Sequence, residues 1–192
     1  MKGIYAILDE NNFDYCRLNS IVKVMINNNI KIFQIRIKSS FTNTKIKVIS
    51  EINSICKERN CKLILNDNVE ITKELDLDGV HIGLNDINLS DAREYLGNDK
   101  IIGVSCYDSL DDAFSAQKNH ASYVSFGSLY KTSTKINAKK LNLDTFLKAK
   151  NILRIPICLI GGINSKNLIN VLKLNSDLIA ISKGLSSNSN IK

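Results

Sequence analysis

The stretch Ile30-Lys31-Ile32-Phe33-Gln34-Ile35-Arg36-Ile37-Lys38 decides the reading of this chain. It is an apolar run long enough for one buried strand, and it closes on a polar cluster. Side chains alternate along a strand, so Gln34, Arg36 and Lys38 share one face while Ile35 and Ile37 share the other. The alternative is an edge strand with solvated charges, and the flanking Ile30, Ile32 and Phe33 argue against it. Burying such a trio without a ligand would be costly. Parallel α/β sheets gather their chemistry at the carboxyl ends of strands, where this trio falls. A second run, Leu65-Asn66-Asp67, ends in the same way on a carboxylate. Cations and a carboxylate on neighbouring strand ends suggest a metal-assisted site for a phosphorylated substrate.

Working outward, strand-like runs recur at residues 3–8, 30–37, 62–65, 77–81, 101–105, 123–126, 155–160 and 178–181. Helix-sized segments fill most gaps, at 19–28, 43–59, 88–96, 109–118, 143–152 and 165–174. Ser90 or Asp91 would contribute to the start of the third, and Asn164 or Ser165 would cap the last. Pro156 opens a strand, one of the few places a strand tolerates it. Eight βα units in one domain, residues 1–192, read as an α/β (β/α)₈ TIM barrel. A doubly wound open sheet is the runner-up. The chain is short for a barrel, which typically takes about 250 residues. Its tail, residues 183–192, is rich in serine and asparagine and cannot make a full closing helix. The eighth helix is therefore expected as a turn, or a second copy of the chain covers the flank. In the second case Ile4 and Ala6 (Tyr5 and Ile7 in the opposite register) would join Ile179 and Ile181 in the interface of a twofold homodimer.

Composition narrows the function classes. The chain is 44% hydrophobic and 23% charged, ordinary for a soluble globular protein. No apolar run approaches the roughly 20 residues of a membrane span, and the opening MKGIYAILDE is not a secretory signal. The five cysteines are scattered, with only Cys56 and Cys61 close together and neither His81 nor His120 beside them. That excludes a zinc-finger spacing and points to reduced thiols in the cytoplasm. The net charge of +7 is spread along the chain rather than blocked. A nucleic-acid role would rest on that charge alone, so the excess reads as a basic surface plus an anion-binding mouth.

The remaining strand ends fill in the mouth. His81-Ile82-Gly83-Leu84-Asn85-Asp86 follows the fourth run. Consecutive strands lie roughly 4.8 Å apart, so Asp67 and Asp86 could approach one cation. Two carboxylates, substrate phosphate oxygens and water are how magnesium is usually held. An Asp after a strand is otherwise often a helix cap. The fifth run ends at Ser105, and the sixth leads into Gly127-Ser128-Leu129-Tyr130-Lys131-Thr132-Ser133-Thr134-Lys135. Its hydroxyls and ammonium groups make either an anion clamp or a plain surface loop. Gly161-Gly162 ends the seventh run and Ile181-Ser182 the eighth, where barrels commonly bind phosphate. Two anion sites thus share one mouth. Neither a P-loop nor a GxGxxG pattern is present.

Taken together, these motifs resemble the thiamine phosphate synthase family, which includes the related thiazole tautomerases, from about residue 3 to residue 182. The likeness rests on Gln-x-Arg-x-Lys at 34–38, Asn66-Asp67, Asp-Gly-Val-His-x-Gly at 78–83 with Asp86, and Ile-Gly-Val-Ser at 102–105. It continues through Tyr-Val-x-Phe-Gly at 123–127, Thr-x-Thr-Lys at 132–135 and Ile-Gly-Gly-Ile at 160–163. The resemblance implies an enzyme joining a hydroxymethylpyrimidine diphosphate to a thiazole phosphate with release of pyrophosphate. It implies that Gln34, Ile35, Arg36, Ile37, Lys38, Asn66, Ser105 and Lys135 hold the pyrimidine diphosphate. Arg36, Lys38 and Lys135 would be catalytic. Asp67 and Asp86 would bind Mg²⁺, while Thr132, Ser133, Thr134, Gly162, Ile181 and Ser182 would hold the thiazole phosphate. The partners implied are these two small molecules, with no nucleic acid and no membrane.

The chain departs from the family pattern at four places. Leu84 replaces a glutamine, Asn68 an arginine, and Tyr107 the histidine two positions after the Gly-Val-Ser serine. The segment before Ile181 is loosened to Ser176-Asp177-Leu178-Ile179-Ala180. The tautomerase branch tends to lose the metal aspartates and to depend on the histidine absent at Tyr107. Retention of Asp67, Asp86 and Lys135 therefore favours the synthase. A non-catalytic thiazole phosphate-binding regulator is the other alternative.

Overall fold

The structure, a computed structural model, describes residues 1–83, 86–132 and 140–186. Its strands are β1 (Gly3–Asp9), β2 (Ile32–Arg36), β3 (Lys62–Asn66), β4 (Gly79–Ile82), β5 (Ile101–Tyr107), β6 (Tyr123–Phe126), β7 (Ile157–Ile160) and β8 (Leu178–Ile181). Each pairs in parallel with the next, and β8 pairs with β1 to close a barrel. That closure rules out the open-sheet alternative. The helices are α1 (Leu18–Asn27), α2 (Asn43–Glu58), α3 (Val69–Glu74), α4 (Leu89–Leu96), α5 (Leu110–Lys118), α6 (Leu143–Ile152), α7 (Leu168–Leu172) and α8 (Lys183–Ser186).

Local chemistry explains where the helices differ from expectation. α3 has six residues, too few for a helical repeat to register in the sequence. Asn68 starts it by accepting a hydrogen bond from the Ile71 backbone N–H at 2.7 Å. One of the departures from the family pattern is thus a helix cap. α4 is capped by Asn88, which accepts from Asp91 N at 3.0 Å, rather than by Ser90 or Asp91. α7 follows Asn167, and Asn164 instead orders the preceding turn by accepting from Lys166 N at 2.9 Å.

Alternation sorts the strand residues into two layers. Ala6, Leu8, Phe33, Ile35, Leu63 and Leu65 pack outward against the first helices, and Val80, Ile102, Val124, Leu159, Ile179 and Ile181 against the later ones. Tyr5, Ile7, Ile32, Ile64, Tyr123, Cys158, Leu178 and Ala180 fill the barrel itself. The flank expected to be bare is not. Ala6, Ile179 and Ile181 are buried, and Leu185 of α8 packs against both outer clusters. Among the described residues the eighth helix is one turn, Lys183–Ser186, and it covers this flank in part, with Ile4 left partly buried.

Tyr5 and Tyr123 meet edge to face inside the barrel, with ring centroids 5.9 Å apart. Gly103 makes room for them: a Cβ there would lie 2.0 Å from the Tyr123 ring. Gly103→Ala is therefore expected to overpack the barrel and to cost about 1–3 kcal/mol. Urea unfolding measures it, and an unchanged midpoint would contradict this packing.

Candidate active site

Above the two tyrosines the barrel interior turns polar. Gln34 Nε2 donates to Tyr5 Oη at 2.8 Å, and Tyr5 Oη lies 2.9 Å from Tyr123 Oη. Tyr123 Oη bonds His81 Nδ1 at 2.8 Å, and His81 Nε2 bonds Ser105 Oγ at 2.9 Å. The imidazole also stacks on the Tyr123 ring. Burial pushes both phenols far above their ordinary pKa, so each keeps its proton. This polar floor carries a cavity open at the carboxyl ends of the strands.

One side of the mouth is charged. Arg36 pairs with the fully buried Asp9, which also accepts from Asn11 N at 2.9 Å. Lys38 lies two residues beyond β2, half exposed, and pairs with Asp67. Asp67 takes a left-handed backbone conformation (φ 67°), which aspartate tolerates better than most residues, and its N–H donates to His81 O at 2.9 Å. Asp86 Oδ2 accepts from Gly83 N at 2.7 Å and comes within hydrogen-bond reach of the Asp67 carboxyl.

The two carboxyls titrate together. Burial, aided by the Asp86 carboxyl, raises the pKa of Asp67 against the pull of Lys38. Burial also opposes ionisation of Asp86, but the Gly83 N–H and Asp67 outweigh it and hold that pKa down. Two acids this close repel when both are ionised, an arrangement a hard cation would relieve. The described residues contain no cluster of three or more His, Cys, Asp or Glu able to hold a metal. A cation here would take two carboxylates and complete its shell from water and phosphate oxygens. That donor set fits magnesium.

The opposite side is built from backbone. Gly161 (φ 110°) and Gly162 (φ 65°) need conformations that side-chain-bearing residues avoid. A Cβ on Gly161 would also lie 2.1 Å from Ser128 Oγ, and one on Gly162 2.7 Å from Lys131 O. The β7 turn therefore runs directly against the segment after β6, with Thr132 on the cavity wall. Ser182 closes this side and accepts from Asn12 Nδ2 at 3.2 Å.

Gln34, Arg36, Asn66, Ser105, Thr132, Gly162 and Ser182 all line this one cavity, and Lys38, Asp67 and Asp86 group beside Asn66. Ile35, Ile37 and Ile181 stand apart from these residues. Their side chains are buried in the outer clusters against the helices, so they can offer the mouth only backbone atoms. Ser133, Thr134, Lys135 and Leu84 lie outside the described residues. Sequence reasoning missed Tyr5, Asp9 and Tyr123 as cavity-side residues, and it placed His81 at a strand end without a role. Tyr5, Ile7 and Asp9 alternate on β1 as Gln34 and Arg36 do on β2, so the period-2 pattern could have placed them inside. Tyr107 was read only as a substitution. A register shift after Ser105 and a left-handed backbone (φ 52°) bring it to the cavity wall.

Glu10 braces the charged side from below. It accepts from Lys38 N at 2.5 Å, Ser39 N at 2.8 Å, Ser39 Oγ at 2.6 Å and Lys45 Nζ at 2.8 Å. Burial opposes its ionisation, yet these donors, Lys45 foremost, hold its pKa at about 2 against an ordinary 4.5. A carboxyl depressed on folding stabilises fully above its unfolded pKa and loses that contribution as pH falls through the folded one. The stability gap between wild type and Glu10→Gln is thus expected to be constant above about pH 4.5 and to shrink toward pH 2. Denaturant unfolding at pH 7 and about pH 3 checks this, and an equal gap at both would contradict it.

Comparisons with known proteins follow this geometry. The family model described as thiamine monophosphate synthase matches residues 4–185. A thiamine-phosphate synthase of Nitrosomonas eutropha is 36% identical over 193 aligned positions, covering 100% of this chain and 90% of that protein. One from Clostridium acetobutylicum is 34% identical, covering 98% of this chain and 89% of that protein. Among solved structures, thiamine phosphate pyrophosphorylase from Pyrococcus furiosus superposes with a TM-score of 0.86 at 28% identity, over 98% of this chain and 89% of that one.

Proposed function

The chain belongs to the thiamine monophosphate synthase family, and from that membership we propose that its barrel mouth joins a hydroxymethylpyrimidine diphosphate to a thiazole phosphate, releasing pyrophosphate and forming thiamine phosphate. The protein is an enzyme, a transferase of thiamine biosynthesis. One observation carries the assignment of sides. The Asp67–Asp86 pair and Lys38 gather beside Asn66 on one side of the cavity, while the glycine turn and Ser182 stand on the other. The first side is the diphosphate site and the second the thiazole phosphate site.

The residue types suit the reaction. A diphosphate leaves from a benzylic-type carbon beside an electron-rich aminopyrimidine, which can stabilise the resulting cation. Arg36 and Lys38 are fixed positive charges aimed at the leaving group as its own charge grows. Asp67 and Asp86 would hold Mg²⁺, which when bound supplies further positive charge to the phosphate oxygens. Gln34, Asn66 and Ser105 orient the pyrimidine, while Thr132, Gly162 and Ser182 hold the thiazole phosphate so that its ring nitrogen faces the reacting carbon. By family resemblance Ser133, Thr134 and Lys135 complete the mouth. No general base is required. The retained carboxylate pair, with Tyr107 in place of histidine, favours synthase over tautomerase.

The protein works in the cytoplasm on this reading, which its free cysteines fit. No helix among the described residues is long and apolar enough to cross a membrane.

Asp67→Asn keeps a side chain that tolerates this backbone and is expected to lower turnover by roughly 10²–10³. Thiamine phosphate formation at limiting magnesium measures it, and normal activity would sink the metal assignment. The second probe is chosen by burial. Removing Arg36 would leave the buried Asp9 unpaired and endanger the fold, whereas Lys38 is half exposed. Lys38→Ala is therefore expected to weaken pyrimidine diphosphate binding about tenfold or more and to spare thiazole phosphate. Calorimetry with each ligand decides. Equal losses for both would mean that the two sides are wrongly assigned.

A further inference from the structure

The chain of hydrogen bonds across the barrel floor has a property that its separate links do not. Each phenol carries a single proton. Tyr5 Oη receives one hydrogen bond from Gln34 Nε2, so its own proton goes to its other partner, Tyr123 Oη. Tyr123, accepting from Tyr5, must then donate to His81 Nδ1. With Nδ1 an acceptor, the neutral imidazole carries its proton on Nε2 and gives it to Ser105 Oγ. Ser105 is left with its hydroxyl proton to donate, and Gln34 with its Oε1 to accept. Both residues line the same cavity.

From this geometry we infer that Tyr5, Tyr123 and His81 are positioning residues that lock Gln34 and Ser105 into opposite hydrogen-bond polarity, and so select an aminopyrimidine. Turning the Gln34 amide would reverse every bond down to Ser105, so neither end can change alone. The floor therefore offers one acceptor and one donor together. It suits a ring presenting an amino N–H to Gln34 Oε1 and an acceptor, a ring nitrogen or a phosphate ester oxygen, to Ser105. An analogue with acceptors at both places would leave Gln34 Oε1 facing a lone pair. None of the three relay residues needs to touch the reacting atoms. This inference rests on the pyrimidine reading of the diphosphate side.

The test is Tyr123→Phe, which keeps the ring that Gly103 accommodates and removes only the hydroxyl link. The chain has two histidines, and His120→Asn identifies the His81 signals in a ¹⁵N–¹H long-range correlation spectrum of the free protein at a pH where the ring is neutral. Wild type is expected to show an unprotonated Nδ1 and a protonated Nε2, and Tyr123→Phe a mixture of tautomers. The pyrimidine diphosphate KM is expected to rise about three- to tenfold, the worth of one net hydrogen bond. The thiazole phosphate KM is expected to stay unchanged. Should Tyr123→Phe fail to fold, Tyr5→Phe cuts the chain one link earlier, and it should raise the same KM and likewise release His81 into a mixture of tautomers, because Tyr123 then no longer accepts from Tyr5. A tyrosine that only filled space would produce none of these changes. A wild-type His81 protonated on Nδ1 would overturn the inference, as would a tautomer and KM unaffected by Tyr123→Phe. If the wild type couples no substrates, the proposed function fails, while the ring-nitrogen pattern still decides the chain.

Discussion

Closure of the sheet is the constraint on which the rest of the molecule depends. Once β8 pairs with β1, every inward side chain must share one narrow interior. Tyr5, Tyr123, Ile64 and Cys158 fill its middle, and they leave the carboxyl ends of the strands as the place where a ligand can enter. Gly103 shows how tight that middle is, since even a methyl group there would strike the Tyr123 ring.

A plugged barrel also sets the electrostatics of its mouth. Asp9 is wholly buried, and Arg36 makes its burial tolerable. Lys38 does the same for Asp67 at a wetter position, and Asp86 is steadied by the Gly83 N–H. The charged side is thus already assembled from paired groups. Against it stands a wall of glycine turns and hydroxyls that also carries Lys183. Such an asymmetric mouth suits the reaction proposed above, in which the ring nitrogen of one phosphorylated molecule displaces the diphosphate from the carbon of the other.

Much of this was legible in the sequence, for a physical reason. Eight apolar runs with helix-sized gaps admit few topologies, and polar residues at strand ends mark the mouth of a parallel barrel. Position alone therefore put Gln34, Asn66 and Ser105 at strand ends, and all three line the cavity. What stayed hidden depends on distance or on local backbone. Tyr5 and Tyr123 gave no sign of a shared role, because nothing in the sequence tells that their hydroxyls meet across 118 positions. Asn68 read as a lost arginine, when its work is to cap a helix too short to announce itself. Ile35, Ile37 and Ile181 were carried along with their motifs, although alternation already turned the first two away from the mouth. The closing flank was read as a turn of helix or a second copy, and a turn is present, its Leu185 packed against both outer clusters.

The central claim is that two anion sites coexist in one mouth. It is tested most directly with unreactive ligands, by titrating magnesium pyrophosphate calorimetrically into the protein alone and into the protein saturated with the thiazole phosphate. The account predicts one-to-one binding in both titrations, with affinities within about threefold of each other, a difference of less than 1 kcal/mol. Competition, with pyrophosphate binding lost as the thiazole phosphate saturates, would contradict it.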